Sequence, residues 1–213
     1  MSKKWRYNFE LIMRHSNVLA LESRKNHKKR HSSARKTLSF LGQIIDEIGK
    51  EPQNHQRNVR MALATRFFNH LLSQMLLTER GLFLDASNSS RSATETTAFY
   101  WLVCLDPSAS SLYDASSSPR PVEIRKRLEE LNIDVSELRD IYSHQSEVAH
   151  VGNSYDNMQI RWGKNNNAEL SVGGGADHEI EKKSLNAIAA FILIFLRYDP
   201  NYKVSEPYKS NDS

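Results

Sequence analysis

The stretch QNHQRNVRMALATRFFNHLLSQMLLTERG, residues 53–81, decides the fold class of this chain. Apolar side chains recur at every fourth residue along it, which is the spacing that places them on one face of an α-helix. These side chains are Val59, Leu63, Phe67, Leu71 and Met75. The pattern predicts a long helix with one buried face, and Gly81 is expected to end it.

Helical patterns continue on both sides of this stretch. We predict further helices at about residues 7–30, 38–48, 82–105, 122–131, 135–151 and 177–198. Apolar and polar residues alternate on either side of the turn-like residues 163–166, which predicts a β-hairpin at about 157–173. The expected fold is therefore an all-α helical bundle with a small β-hairpin inserted before the C-terminal helix.

The predicted domain organisation has three parts. Residues 1–36 form a basic N-terminal helical segment, residues 37–200 form the bundle with its hairpin, and residues 201–213 form a disordered tail. The serine-rich residues 108–119 are expected to be a mobile loop inside the bundle.

Composition limits the classes of protein that are compatible with this chain. It has 213 residues, 25% of them charged, which suits one globular core. Its single cysteine, Cys104, excludes an intramolecular disulfide. We recognise neither a signal peptide nor a membrane span, so we predict a cytoplasmic protein that does not contact a membrane.

Charge is distributed unevenly along the chain. Residues 1–36 carry a net charge of +9, whereas the remaining residues carry −5. The basic residues concentrate in one run that contains no acidic residue: Arg24, Lys25, Lys28, Lys29 and Arg30, with Arg35 and Lys36 just beyond. Such a run predicts contact with nucleic-acid phosphates, although it is equally compatible with a solvated helix end. The run lacks aromatic residues, which favours backbone contact over base stacking.

Polar residues at helical spacing form a second candidate site. Arg91 and Glu95 are four residues apart on one predicted helix, and Tyr142, Ser146 and His150 share a stripe on another. A phenol, a hydroxyl and an imidazole in a row can bind phosphate or assist proton transfer. The same residues also suit a surface ion pair and a hydrogen-bonded core row, so both interpretations stay open.

The string Arg139-Asp140-x-x-x-His144 is a third candidate site. Cleavage of RNA without a metal needs a base for the 2′-hydroxyl and a cation for the charged transition state, and His and Arg suit these two roles. The string is short, so it matches by chance easily. We recognise no metal-binding pattern and expect neither a metal nor a cofactor.

Two of these motifs resemble a known group of proteins. The segment Ser90–Glu95 followed by Ala98–Leu102, and then Tyr142-x-x-x-Ser146-x-x-x-His150, resembles a bacterial all-helical family of uncharacterised proteins that looks related to the HEPN superfamily. The similarity covers about residues 55–198.

The resemblance implies a HEPN-like RNA-cleaving or RNA-binding effector, in phage defence or a toxin–antitoxin system. It implies a metal-independent endoribonuclease with His144 as acid or base, Arg139 stabilising the transition state and Asp140 orienting them. It also implies a homodimer, RNA as partner, and an antitoxin or other protein partner. The alternative is a non-catalytic helical binding module for a small anionic ligand or a protein partner, and a third interpretation is a scaffold whose hairpin adds a strand to a partner.

Overall fold

The chain folds into a bundle of α-helices. The computed structural model describes residues 9–114, 119–149, 160–162, 168–170 and 177–202, and for 9, 144–149 and the two short strands it describes the backbone only. The α-helices are α1 (Phe9–Asn26), α2 (Lys28–Lys50), α3 (His55–Glu79), α4 (Phe83–Leu105), α5 (Pro121–Glu130), α6 (Ser136–Ala149) and α7 (His178–Phe195). The predicted all-α bundle is confirmed. Of the predicted disordered tail 201–213, Asn201 and Tyr202 are ordered and donate to Glu51 and Glu47, and the rest lies outside the described residues.

Helices α3 and α4 pack against each other at the centre of the bundle. Helix α2 packs against α3 and α7, α7 packs against α3 and α4, and α5 and α6 contact α4. All five predicted apolar side chains of α3 are buried. The rings of Phe67 and Tyr100 each stack on Phe195 with centroids 4.1 Å apart, which joins α3, α4 and α7 in one apolar core.

Helix α4 stays continuous and buried although its middle is rich in serine and threonine. The hydroxyls of Ser90, Thr94 and Thr97 donate to backbone carbonyls four residues earlier in the same helix. Each of these buried hydroxyls therefore has a hydrogen-bond acceptor within its own helix. This local bonding lets the polar segment lie inside the bundle and position Arg91.

The N-terminal helix ends earlier than its sequence predicts. Helix α1 stops at Asn26, His27 has non-helical φ and ψ of −117° and 33°, and α2 begins at Lys28. The expected single helix over 7–30 is wrong because His27 is buried against polar side chains of α7 at this break. The predicted boundary after residue 36 falls within the continuous helix α2.

Part of the expected serine-rich loop is ordered. Residues Pro107–Tyr113 form a 3-10 helix, so the prediction of a loop is wrong for this segment. Asp106 caps it by accepting hydrogen bonds from the Ser108 amide at 3.0 Å and the Ser108 hydroxyl at 2.6 Å. Its residues Ala109 and Ser110 are buried.

Two short strands precede α7. Strands β1 (Ile160–Trp162) and β2 (Ala168–Leu170) pair antiparallel, with Ile160 opposite Leu170. The connection between them lies outside the described residues, so the complete hairpin at about 157–173 stays a prediction. Among the helices of the described ranges, none combines the length and the hydropathy that a membrane span requires.

Candidate functional site

The structure brings three of the five residues of the predicted polar pocket together. The Arg91 guanidinium donates a hydrogen bond to the phenol oxygen of Tyr142 at 2.5 Å, and its Nε lies 3.4 Å from Glu95. The contact joins α4 to α6 and agrees with the shared polar pocket that the family resemblance implied. His150 and the side chain of Ser146 lie outside the described residues.

Tyr142 lies between two guanidinium groups. The Arg91 and Arg125 guanidinium carbons lie 4.6 Å and 4.9 Å from the centroid of its ring. Because Arg91 is already bound to Tyr142 and Glu95, its charge is compensated within the protein. This geometry favours a role in joining α4, α5 and α6 over the binding of a free anion.

The residues of the predicted nuclease string are only partly described. Arg139 and Asp140 are exposed on α6, and the Arg139 guanidinium forms an ion pair with Glu129 of α5. The side chain of His144 lies outside the described residues. The catalytic role of these three residues therefore stays a prediction.

The basic run lines a groove at the junction of α1 and α2. The groove has a volume of about 690 Å³ and includes five basic side chains, Arg24, Lys25, Lys28, Arg35 and Lys36, but no carboxylate. We call it the basic groove. Lys29 and Arg30, which the sequence also predicted to bind nucleic acid, are not among its lining residues.

The cations of the basic groove differ in how far they are compensated. Arg24 donates two hydrogen bonds to Glu79, from Nε at 3.0 Å and from Nη2 at 2.5 Å. Across the described ranges, Lys25, Lys28 and Lys36 form no ion pair, and all three are exposed. These three lysines therefore provide the positive charge that the groove presents to solvent.

An aromatic side chain also lines the basic groove. Phe40 is 45% exposed, and its ring lies edge-on to Tyr202 with centroids 6.3 Å apart. The prediction that the protein contacts only the nucleic-acid backbone was based on the basic run, residues 24–36, which contains no aromatic residue. In the fold, α2 places Phe40 in the same groove as Lys25, Lys28 and Lys36. The groove therefore combines positive charge with an exposed ring.

A second polar cluster lies next to the groove, in the interior of the bundle. We call it the His–Glu cluster, and its members are Ser23, His27, His31, Glu79, His178 and Glu181. His27 Nε2 lies 3.3 Å from Glu181 Oε2, and His31 Nδ1 lies 3.3 Å from Glu79 Oε1. Neither pair is aligned for a hydrogen bond.

The electrostatics of the His–Glu cluster favour charged carboxylates. Burial alone would raise the pKa of Glu79, but its interactions with His31 and Arg24 outweigh burial and lower the pKa to about 2. The pKa of Glu181 is also lowered, because its interactions with His31 and Ser23 outweigh the effect of burial. Two ionised carboxylates therefore lie in the interior at neutral pH, and each needs cationic or hydrogen-bonding partners.

The sequence contains a signal for this cluster that the prediction of no metal site overlooked. His27 and His31 are four residues apart, and His178 precedes Glu181 by three, so each pair can face one side of a helix. Ring nitrogens and a carboxylate at such spacings are possible metal ligands. The atoms of His27, His178 and Glu181 that could bind a metal lie within 4.8 Å of one another.

Comparisons of this chain with models of protein families, with curated proteins and with solved structures found no match.

Proposed function

We propose that this chain is a HEPN-like RNA-binding protein that holds the RNA backbone in the basic groove. The observation that carries the proposal is a groove of about 690 Å³ lined by five basic side chains and no carboxylate. Phosphate groups are the common anions that such a surface binds. When basic side chains neutralise phosphates, the nucleic acid releases its counterions, and this release provides much of the affinity.

The shape of the basic groove suits a polymer. Its lining residues extend along one face of α2 from Lys28 to Gln43, a distance of about 22 Å at 1.5 Å per residue. That length is several times the size of one phosphate group, so successive phosphates of one strand can lie along it. A single small anion would contact only part of this surface.

The exposed ring of Phe40 favours single-stranded RNA over a duplex. Unpaired bases stack on exposed aromatic side chains while basic residues hold the backbone, and this combination is common in proteins that bind single strands. In a duplex the bases are already stacked on each other and cannot reach a protein ring. The resemblance to the HEPN superfamily supports RNA as the nucleic acid.

Reversing charge in the groove is expected to weaken RNA binding strongly. For Lys28→Glu/Lys36→Glu we expect about tenfold weaker binding of a single-stranded RNA. The log–log dependence of affinity on salt should become shallower by about 0.7 for each phosphate that the protein no longer neutralises. Fluorescence anisotropy at several salt concentrations measures both quantities.

The matched control is Lys126→Glu/Lys183→Glu, which changes the net charge equally at exposed positions outside the groove. The proposal fails if both double variants lose the same affinity, or if wild-type binding does not depend on salt. The alternative function is binding of a small anionic ligand. It would be favoured if inorganic phosphate bound in the groove as tightly as RNA does.

RNA cleavage is the second part of the HEPN-like proposal and has a separate test. We expect His144→Ala to abolish growth arrest and degradation of total RNA in cells, while its affinity for RNA in vitro stays unchanged. Intact RNA and equal growth for wild type and variant would remove the nuclease and leave the binding function. The proposed homodimer, antitoxin partner and role in phage defence depend on this activity.

A further inference from the structure

We propose that His27, His178 and Glu181 form a binding site for a divalent transition-metal ion of the zinc class. The three side chains come from the α1–α2 break and from the first turn of α7. This site is independent of the proposed RNA binding, because none of the three residues lines the basic groove.

Two of the three ligand-to-ligand distances among His27, His178 and Glu181 are close to those around one metal ion, and all three are within 4.8 Å. His27 Nε2 lies 3.3 Å from Glu181 Oε2, and His178 Nδ1 lies 3.7 Å from the same oxygen. Ligand atoms of a tetrahedral zinc ion, each about 2.0–2.1 Å from the metal, are separated by about 3.3 Å. The trio is therefore nearly in place before a metal binds.

The imidazole of His27 is buried, and its two ring nitrogens form no hydrogen bond with the described residues. Buried polar atoms in folded proteins almost always have a partner, and leaving one without a partner costs about 1–3 kcal/mol. A metal ion bound at Nε2 would supply a partner for this atom, whose ion-pair neighbour Glu181 Oε2, at 3.3 Å, is not aligned for a hydrogen bond.

Neighbouring side chains hold Glu181 in position. Its second oxygen, Oε1, accepts a hydrogen bond from the Ser23 hydroxyl and lies 3.8 Å from His31 Nε2. Ser23 Oγ and His31 Nε2 are also 2.8 Å apart. Such outer contacts leave Oε2 free to face the two imidazoles and fix the carboxylate, as they do around bound metals in proteins.

The ligand atoms of His27, His178 and Glu181 indicate which class of metal they would bind. Two imidazoles and one carboxylate suit zinc and related transition metals, whereas magnesium and calcium prefer oxygen ligands throughout. The side chain of His178 is 61% exposed, while those of His27 and Glu181 are almost completely buried. The site is thus open to solvent on one side, through which a metal can enter and a water molecule can complete the tetrahedron.

Cobalt titration of the purified full-length chain tests the site. The protein, without a polyhistidine tag, is stripped with a chelator and titrated with Co²⁺, whose visible absorption reports bound metal, and then with Zn²⁺ by calorimetry. We expect one bound ion per chain, at least about tenfold weaker binding in His178→Ala, and about tenfold weaker binding in Ser23→Ala. Zinc is expected to raise the melting temperature of wild type but not of His178→Ala.

His55→Ala is the matched control. His55 is half-exposed and paired with Asp114, and it begins α3 whereas Glu79 of the cluster ends it, about 36 Å away along the helix. This variant should bind metal as wild type does. Absence of saturable binding in wild type, or equal binding in wild type and His178→Ala, would overturn the proposal and leave the cluster as a buried network of polar side chains.

Discussion

Replacing Arg60 with methionine is expected to destabilise the fold by about 3–5 kcal/mol, because it leaves a buried carboxylate without its cation. The Arg60 side chain is 4% exposed and donates to Asp199 at 2.9 Å and to Glu51 at 2.8 Å. Asp199 has no exposed side-chain surface. Urea unfolding followed by circular dichroism measures the loss of stability.

The phenol of Tyr100 cannot compensate for the removal of Arg60. Burial raises the pKa of Tyr100 above its ordinary value, so the phenol remains protonated and donates a hydrogen bond to Asp199. A neutral hydroxyl stabilises a buried carboxylate less than a guanidinium does. Asp199 would therefore remain a poorly compensated charge in the Arg60→Met protein.

The control for Arg60 is an exposed ion pair. Arg120, the residue before α5, lies 2.7 Å from Glu123 in its first turn, and the Arg120 side chain is 77% exposed. Arg120→Met should cost at most about 1 kcal/mol. Similar destabilisation in Arg60→Met and Arg120→Met would contradict the assignment of a buried ion pair. Partial recovery in Arg60→Met/Asp199→Leu would support it, because that variant removes both charges.

Truncation of Trp101 to alanine is expected to cost about 3–5 kcal/mol. The side chain is completely buried, and its Nε1 donates to the carbonyls of Ile194 and Phe195 at 3.0 Å and 3.1 Å. Its ring also meets Tyr198 edge-on with centroids 4.8 Å apart. The cost combines a large cavity with the loss of the two indole hydrogen bonds at the end of α7, and the midpoint of urea unfolding measures it.

Trp101→Phe separates the two contributions to that cost. Phenylalanine retains most of the apolar volume and removes the indole N–H, so this variant should cost only about 1–3 kcal/mol. If Trp101→Phe were as destabilising as Trp101→Ala, the hydrogen bonds rather than the cavity would account for the effect. An unchanged denaturant slope in both variants would show that unfolding still exposes the same surface.

The central part of the fold could be predicted because its signal is local. The apolar side chains of α3, from Val59 to Met75, repeat at helical spacing, and burial of that face needs no knowledge of its partner. Helix α1 gave a weaker signal. The apolar side chains of Met13 and Leu21 are 43% and 65% exposed, while those of Ser16 and Ser23 are buried. Part of its buried face is polar, since Ser23 donates to Glu181 of α7, and apolar periodicity does not report such a contact.

The candidate sites also differ in how far the sequence could predict them. The meeting of Arg91 with Tyr142 was implied by the family resemblance, and a basic surface was predicted from a run of charge, of which Arg24, Lys25 and Lys28 line the groove. The His–Glu cluster joins Ser23 to Glu181, which are 158 residues apart in sequence. A single sequence gives no indication that two such distant helices meet. The spacing of the histidines therefore could not predict this cluster before the fold was known.

The bond between Arg60 and Asp199 spans 139 residues and has a consequence for synthesis on the ribosome. Translation proceeds from the N-terminus, so Trp101 emerges long before its partners at the end of α7, and Arg60 long before Asp199, which follows that helix. Until residues 194–199 are made, the guanidinium of Arg60 and the indole of Trp101, which are buried in the folded bundle, stay exposed to water. Folding of this bundle must therefore be completed late in translation, and the nascent chain is the form most exposed to chaperones and proteases.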